Sequence, residues 1–122
     1  MKKVAHQVFS DGTKSRFEPR EIELVAVEDV APGGVFYAGG LGEGAVALAR
    51  FEAGFDCGFH NTETPTWMFI MSGQMELGVS DGDSRTLEPG DIVYFTDSDG
   101  EGHRSRVLGD QDVIVATAGY IP

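Results

Sequence analysis

The sequence predicts an all-β sandwich or barrel with little helix. The chain has 17 glycines among its 122 residues, and Val, Ile, Phe and Thr recur in short runs. Turn signals interrupt these runs about every 8 to 12 residues, which is typical of sandwiches and barrels. A chain of this length buries about two thirds of its unfolded surface, enough for one core. We therefore predict a single domain over residues 1–122, with N-terminal strands within 1–44 and a barrel core at about 45–118.

The N-terminal part contains the first predicted strands. Residues 21–27 alternate polar and apolar side chains, as a half-buried strand does, and a turn signal at residues 29–34 follows. Two more strands are predicted at residues 35–38 and 45–51, on either side of the glycine-rich stretch 39–42. The last of these three strands begins the predicted core.

The C-terminal half predicts a series of paired strands. Residues 66–71 form a continuous apolar run, which is typical of a strand covered on both faces. Asp81-Gly82 predicts a hairpin turn because this dipeptide tolerates positive φ, and Pro89-Gly90 predicts a second tight turn. The other strands are expected at residues 74–79, 84–87, 92–95, 103–108 and 112–118.

Several glycines and two histidines have the spacing of the two cupin motifs. Gly54, His60 and Gly73 match the first motif, and Gly90 and His103 match the second, with the histidine two residues late. Over about half of its length the chain thus resembles the cupin superfamily, in particular small single-domain members. The resemblance implies a jelly-roll barrel of the double-stranded β-helix type.

Two metal-ligand positions of the cupin pattern hold threonines in this chain. Thr62 stands in the place of the second histidine, and Thr66 stands in the place of the glutamate. A hydroxyl replaces imidazole or carboxylate poorly, so the metal site is expected to be degenerate. We expect no cofactor. The alternative is a divalent metal (Fe, Mn, Ni or Zn) bound by His60 and His103, with Glu63 as a possible third ligand.

Strand alternation sorts the side chains near His60 into two faces. His60, Thr62 and Thr66 share one face of an extended strand, and Cys57 and Glu63 share the other. A bulge would be needed to bring Glu63 inside. Cys57 has no histidine within local reach in this arrangement, so we do not expect it to act as a nucleophile.

The candidate site is a mainly apolar pocket with a few polar groups. We expect His60 and His103 to act as proton carriers, because neutral imidazole near pH 7 serves as a general base or acid, and Tyr94 to assist them. Such a pocket suits a small organic ligand. The expected ligand-binding residues are Thr62, Thr66, Trp67, Met68 and Ile70.

Three functional hypotheses remain open. The first is a metal-independent isomerase, dehydratase or lyase that uses His60 and His103 as acid and base. The second is a metal-dependent enzyme of the dioxygenase type that binds its metal through the same histidines. The third is a module that binds or senses a metabolite without catalysis. The sequence does not specify the substrate.

The net charge and the cysteine content restrict the possible partners and the cellular compartment. A net charge of −11, with nine scattered lysines and arginines, opposes binding to nucleic acid. No apolar run approaches the roughly 20 residues that span a bilayer. We see no export signal, and the one cysteine forms no intrachain disulfide, so we expect a cytoplasmic protein. A homodimer is expected because an open sheet edge needs cover, and the cupin resemblance implies pairing through an N-terminal strand such as residues 22–27.

Overall fold

The polypeptide forms strands and no helix within residues 1–28, 35–42 and 44–119, which the computed structural model describes. The predicted all-β class is confirmed, and this part of the chain has no helix that could span a membrane. The turn signal at residues 29–34 lies outside the described residues. The strands are β1 (Lys2–Ser10), β2 (Ser15–Glu23), β3 (Val25–Val27), β4 (Phe36–Ala38), β5 (Val46–Phe51), β6 (Thr66–Ser72), β7 (Gln74–Val79), β8 (Ser84–Leu87), β9 (Ile92–Phe95), β10 (His103–Leu108) and β11 (Val113–Ala118).

Two main sheets enclose the interior. The larger sheet has the order β2-β1-β9-β6-β11-β5, and the smaller has the order β10-β7-β8. A separate two-stranded sheet consists of β3 and β4. All pairings are antiparallel except that of β1 with β9. β2 and β5 are therefore the two edges of the larger sheet.

The main core fills the space between these sheets. Strand alternation produces it: along β7, Met75, Leu77 and Val79 are buried while the intervening side chains are not. Burying each large apolar side chain stabilises the fold by about 1.5–3 kcal/mol. The core side chains are Val8, Met68, Ile70, Met75, Leu77, Val79, Leu87, Val93, Phe95, Val107, Val113 and Val115.

A second apolar cluster, here called the outer cluster, covers the other face of the larger sheet. Its buried members are Ala5, Ile22 and Trp67. The Trp67 ring stacks on Tyr94 with 4.1 Å between centroids, and its indole Nε1–H donates to the carbonyl of Leu41 at 3.2 Å. β6 thus has apolar cover on both faces, as its continuous apolar run predicts.

The two predicted turns in the C-terminal half are confirmed. Gly82 has a φ of 101° in the β7–β8 hairpin, where its N–H donates to the carbonyl of Val79 at 3.0 Å. Pro89 and Gly90 occupy the middle of a turn closed by a 2.9 Å hydrogen bond from the Asp91 N–H to the Glu88 carbonyl. Gly90 has a φ of 97°, as the third residue of a type II turn requires.

The N-terminal region differs from its predicted form. Residues 21–27 do not form one strand, because β2 ends at Glu23 and β3 begins at Val25. Leu24 lies between the two strands: it packs on the outer cluster, and its N–H donates to the carbonyl of Met1 at 2.8 Å. β1 lies inside the larger sheet, although only two of its nine residues, Ala5 and Val8, are buried. This small apolar content explains why its pattern does not predict a strand.

Candidate active site

A cavity of about 760 Å³ lies against the inner face of the larger sheet. Phe51, Met68 and Phe95 line it from β5, β6 and β9, and His103 and Ser105 line it from β10. The segment between β5 and β6 supplies further lining side chains. This volume is in the range of sites that bind small molecules.

The backbone holds the two predicted histidines side by side. His60 and His103 form an isolated antiparallel bridge, in which each N–H donates to the other carbonyl at 2.9 Å. Their ring centroids are 4.5 Å apart. Gly102 permits this approach, because a Cβ at that position would lie 2.1 Å from the carbonyl oxygen of His60. Both rings line the cavity.

A buried carboxylate orients His103. Asp97 Oδ2 lies 2.6 Å from His103 Nδ1 and also accepts a 2.7 Å hydrogen bond from the hydroxyl of Ser15. Asp97 and Ser15 are fully buried, and His103 is 3% exposed. The sequence pattern does not predict this role of Asp97, since an acidic residue in a glycine-containing loop predicts a solvated turn. An aspartate six residues before a candidate histidine was the available signal.

Hydrogen bonding gives both imidazoles the same tautomer. A carboxylate oxygen accepts, so His103 donates to Asp97 through Nδ1–H. His60 Nδ1 lies 2.9 Å from the carbonyl of Gly58, which also can only accept. The Nε2 lone pair of each ring is therefore the available proton acceptor. No hydrogen bond within the described residues uses either Nε2 atom.

Solved structures with a similar fold identify the architecture. The Cupin 2 conserved barrel domain protein of Salinispora arenicola CNS-205 matches with a TM-score of 0.52 and 21% identity, over 80% of this chain and 76% of that one. The chain has a cupin fold. No family model matches it, and no curated protein matches it.

Two larger proteins contain the same cupin fold. DMSP lyase DddQ of Ruegeria pomeroyi DSS-3 matches with a TM-score of 0.50 and 24% identity, over 80% of this chain and 48% of its own. Capsular polysaccharide assembling protein CapF of Staphylococcus aureus matches with a TM-score of 0.51 and 18% identity, over 82% of this chain and 32% of its own. The chain thus spans about half and about a third of these proteins.

The remaining predicted residues of the first cupin motif also reach the cavity. Thr62, Thr66 and Met68 line it, although alternation is not the reason for Thr62, since all of residues 60–64 line the cavity and residues 61–65 form no strand. Thr66 is buried, and its hydroxyl donates to the carbonyl of Thr64 at 2.7 Å. Glu63 lines the cavity as well, although strand alternation predicts the opposite face.

Three predicted site residues lie away from this cupin cavity, and their assignment to it is wrong. Tyr94 pairs with Trp67 across β9 and β6, and both belong to the outer cluster on the opposite face of the sheet. Adjacent strands in register place paired residues on the same face, so neither ring can enter the cavity. Ile70 is 3% exposed and packs in the main core without lining the cavity.

Cys57 lies in the cavity beside His60, contrary to the alternation argument. Its Sγ is 3.8 Å from His60 Nδ1 and 3.4 Å from the carbonyl of Ser105. The cause is an irregular register: Asp56 bridges Arg106 and His60 bridges His103, so one strand advances four residues while the other advances three. The extra residue reverses the alternation, as a bulge does.

The donor groups of the cavity do not suit a cupin metal ion. Within the described ranges, no three His, Cys, Asp or Glu side chains converge closely enough to hold a metal. Asp97 and the Gly58 carbonyl occupy the two Nδ1 atoms, so the histidines could supply only their two Nε2 atoms as ligands, which is too few to fill a coordination shell. Thr62 and Thr66 supply only neutral hydroxyls, which are weak ligands for transition metals.

Proposed function

We propose that this cupin is an enzyme of the isomerase, dehydratase or lyase type that moves protons on a small organic substrate without a metal. The buried Asp97–His103 hydrogen bond carries this proposal. It fixes Nδ1–H of a ring that lines the cavity and leaves Nε2 as the free basic nitrogen. A carboxylate that orients a histidine in this way is a recurring arrangement for general-base catalysis.

His103 is the proposed base. Its Nε2 takes a proton from a substrate carbon beside a carbonyl group, and the bonding pair moves into an enolate. Asp97 stabilises the imidazolium that forms, because the two groups are 2.6 Å apart and buried from water. A positioned base of this kind contributes about 10²–10⁴ to a rate.

His60 is the proposed acid. Its ring is exposed at the cavity, so its protonated form can exchange with water between turnovers. In a lyase or dehydratase, the enolate expels the leaving group, which takes the proton from His60 Nε2. In an isomerase, the proton that His103 removed is instead returned to the neighbouring carbon of the enolate. His60 is thus more exposed than a mainly apolar pocket predicts, whereas His103 is buried.

An unpaired oxygen supports a functional role for Asp97. Its Oδ1 is buried without a hydrogen-bond partner among the described residues. Leaving such an atom unpaired costs about 1–3 kcal/mol or more, so packing alone would favour a neutral side chain at this position. The cost is understandable if the carboxylate is needed to stabilise a positive charge on His103.

Hydrogen–deuterium exchange tests this function without knowledge of the natural substrate. A panel of small carbonyl compounds is incubated with the protein in D₂O and EDTA, and deuterium at the carbon beside the carbonyl is measured by NMR. We expect exchange into at least one compound, lost in a His103→Asn variant. His6→Asn is the matched control, since His6 is the third histidine of the chain and does not line the cavity.

Two results would count against the proposal. Exchange that appears only after addition of iron, manganese, nickel or zinc would favour the metal-dependent alternative. Retention of an unchanged metabolite by the purified protein, with no exchange into any compound, would favour a binding or sensing module.

A further inference from the structure

No lysine or arginine is among the described residues that line the cavity. All nine lysines and arginines lie within the described residues, and none of them lines the cavity. The residues outside the described ranges include no Lys or Arg. The two arginines nearest in sequence to the lining residue Ser105 bond to carboxylates elsewhere: Arg104 to Asp56 at 3.2 Å and Arg106 to Glu76 at 2.9 Å.

Negative charge is present at the same site. Glu63 lines the cavity, and the carboxylate of Asp97 lies directly behind the His103 ring. Any positive charge that His103 gains is offset by Asp97, which leaves His60 as the one lining side chain able to become a free cation. The net charge of −11 adds to the negative potential.

Aromatic rings form part of the wall. Phe51 and Phe55 are 4.9 Å apart between centroids with planes inclined at 51°, and both line the cavity. Phe95 lines it beside His103, at 4.6 Å between ring centroids. The faces of such rings attract organic cations and accommodate apolar groups, whereas they offer nothing to a carboxylate or phosphate.

We propose that the cavity selects an organic cation, of the amine class with an apolar body, over its neutral analogue and rejects organic anions. This rests on the proposed function, since it names the substrate class of the same site. A cation keeps favourable interactions with Glu63, Asp97 and the phenyl rings. An anion would lose its hydration and find no arginine or lysine to replace it.

Titration calorimetry with three probes of similar size and shape tests the charge preference. The probes are 2-phenylethylamine, 2-phenylethanol and phenylacetate at about pH 8, where the amine is protonated and the carboxylate is ionised. We expect the amine to bind tightest and phenylacetate weakest, by about tenfold or more between these two. Glu63→Gln should weaken amine binding about threefold and leave the alcohol unchanged. Glu18→Gln is the charge-matched control on β2, outside the cavity.

Three results would overturn the proposal: phenylacetate binding at least as tightly as the amine, Glu63→Gln weakening the amine and the alcohol equally, or no binding of any probe at millimolar concentration. The same titrations with His103→Asn separate this proposal from the catalytic one. The order of affinities should persist in that variant even though proton exchange is lost. Failure of the exchange experiment therefore would not contradict the charge preference, and failure of the binding experiment would not contradict the catalytic proposal.

Discussion

Asp97 has no exposed surface, and one carboxylate oxygen accepts hydrogen bonds from both Ser15 and His103. These two partners come from β2 and β10, so a single side chain connects two distant parts of the fold. The carboxylate also determines which nitrogen of His103 is basic. Its replacement should therefore change the chemistry of the histidine before it changes the fold.

Asp97→Asn is expected to reduce proton exchange by about 10²–10⁴-fold while the protein stays folded. The amide can present an N–H to His103 Nδ1. Nδ1 would then accept this hydrogen bond, and the ring proton would move to Nε2. Imidazole ¹⁵N NMR shifts measure this change of tautomer. Asp99→Asn, in the same acidic loop but exposed, is the control. Retention of the Nδ1–H tautomer in Asp97→Asn would contradict the proposed role.

The loops between strands determine the geometry of the candidate site. Gly102 precedes β10 with a φ of 81°, and it directs that strand so that His103 bridges His60. Gly82 has a φ of 101° in the β7–β8 turn, with no heavy atom within 4 Å of an added Cβ. The two glycines share a positive φ, which is strained only for residues with a Cβ, and they differ in their surroundings.

Gly102→Ala should cost clearly more stability than Gly82→Ala. The second change adds only the backbone penalty of about 1–2 kcal/mol. The first adds that penalty and also forces a Cβ to within 2.1 Å of the His60 carbonyl, so the bridge must open. Urea denaturation gives the two free energies of unfolding. Equal losses in both variants would show that the bridge is not rigid.

The β1–β2 turn provides a pH-dependent element. The carboxylate of Asp11 accepts hydrogen bonds from the N–H groups of Lys14 and Thr13 and from the guanidinium of Arg16. These contacts, that of Lys14 first, hold the pKa of Asp11 below its ordinary value. A depressed carboxyl pKa stabilises the fold above the unfolded pKa of about 4, and this stabilisation is lost as the pH falls further.

Asp11→Asn should therefore lower the denaturation midpoint near pH 6, and the difference from the unsubstituted protein should shrink as the pH approaches about 3. Urea midpoints measured across this range test the expectation. Glu18→Gln removes the same charge from β2 without altering the turn. The difference between its midpoint and that of the unsubstituted protein should not shrink in this way as the pH falls. A constant Asp11→Asn difference over the whole range would contradict the assignment.

The sequence predicts the elements best where buried apolar residues alternate clearly or form a continuous run. β7, β8 and their turn follow from alternation and from Asp81-Gly82. β1 is not predicted, although it forms a hairpin with the adjacent β2, because only two of its nine residues are buried. In the site, the motif spacing predicts His60 and His103. It cannot predict Asp97, whose role depends on tertiary contacts, or Cys57, whose orientation depends on a register irregularity.

The two edges of the larger sheet differ in how well each could form the interface of the expected homodimer. β2 carries Pro19 and several charged residues, which are features that protect an edge from pairing. β5, at the other edge, exposes Val46 and Leu48 at 77% and 71%. Ile22, within the segment expected to pair, is buried in the outer cluster. These features favour β5 over residues 22–27 as the dimer surface.

We expect a dimer at micromolar concentration that dissociates in a Leu48→Lys variant, because a charge would replace an apolar side chain at the contact. Val25→Lys, on the N-terminal segment, is the matched control, since Val25 is 60% exposed. Sedimentation velocity gives the mass of each form. Dissociation by Val25→Lys alone would place the interface at the N-terminal segment, and a monomeric unsubstituted protein would exclude both surfaces.

The hydrogen bond from Ser15 to Asp97 joins residues 82 positions apart, which affects how the protein folds. Chains rich in such distant pairings fold slowly, in milliseconds to seconds, because a long loop must close before its contacts stabilise it. During synthesis, Ser15 leaves the ribosome long before Asp97 and His103 exist. The Asp97 carboxylate therefore receives its hydrogen bond from Ser15 only when the N-terminal hairpin docks on β9, so the proposed catalytic pair is completed late in folding.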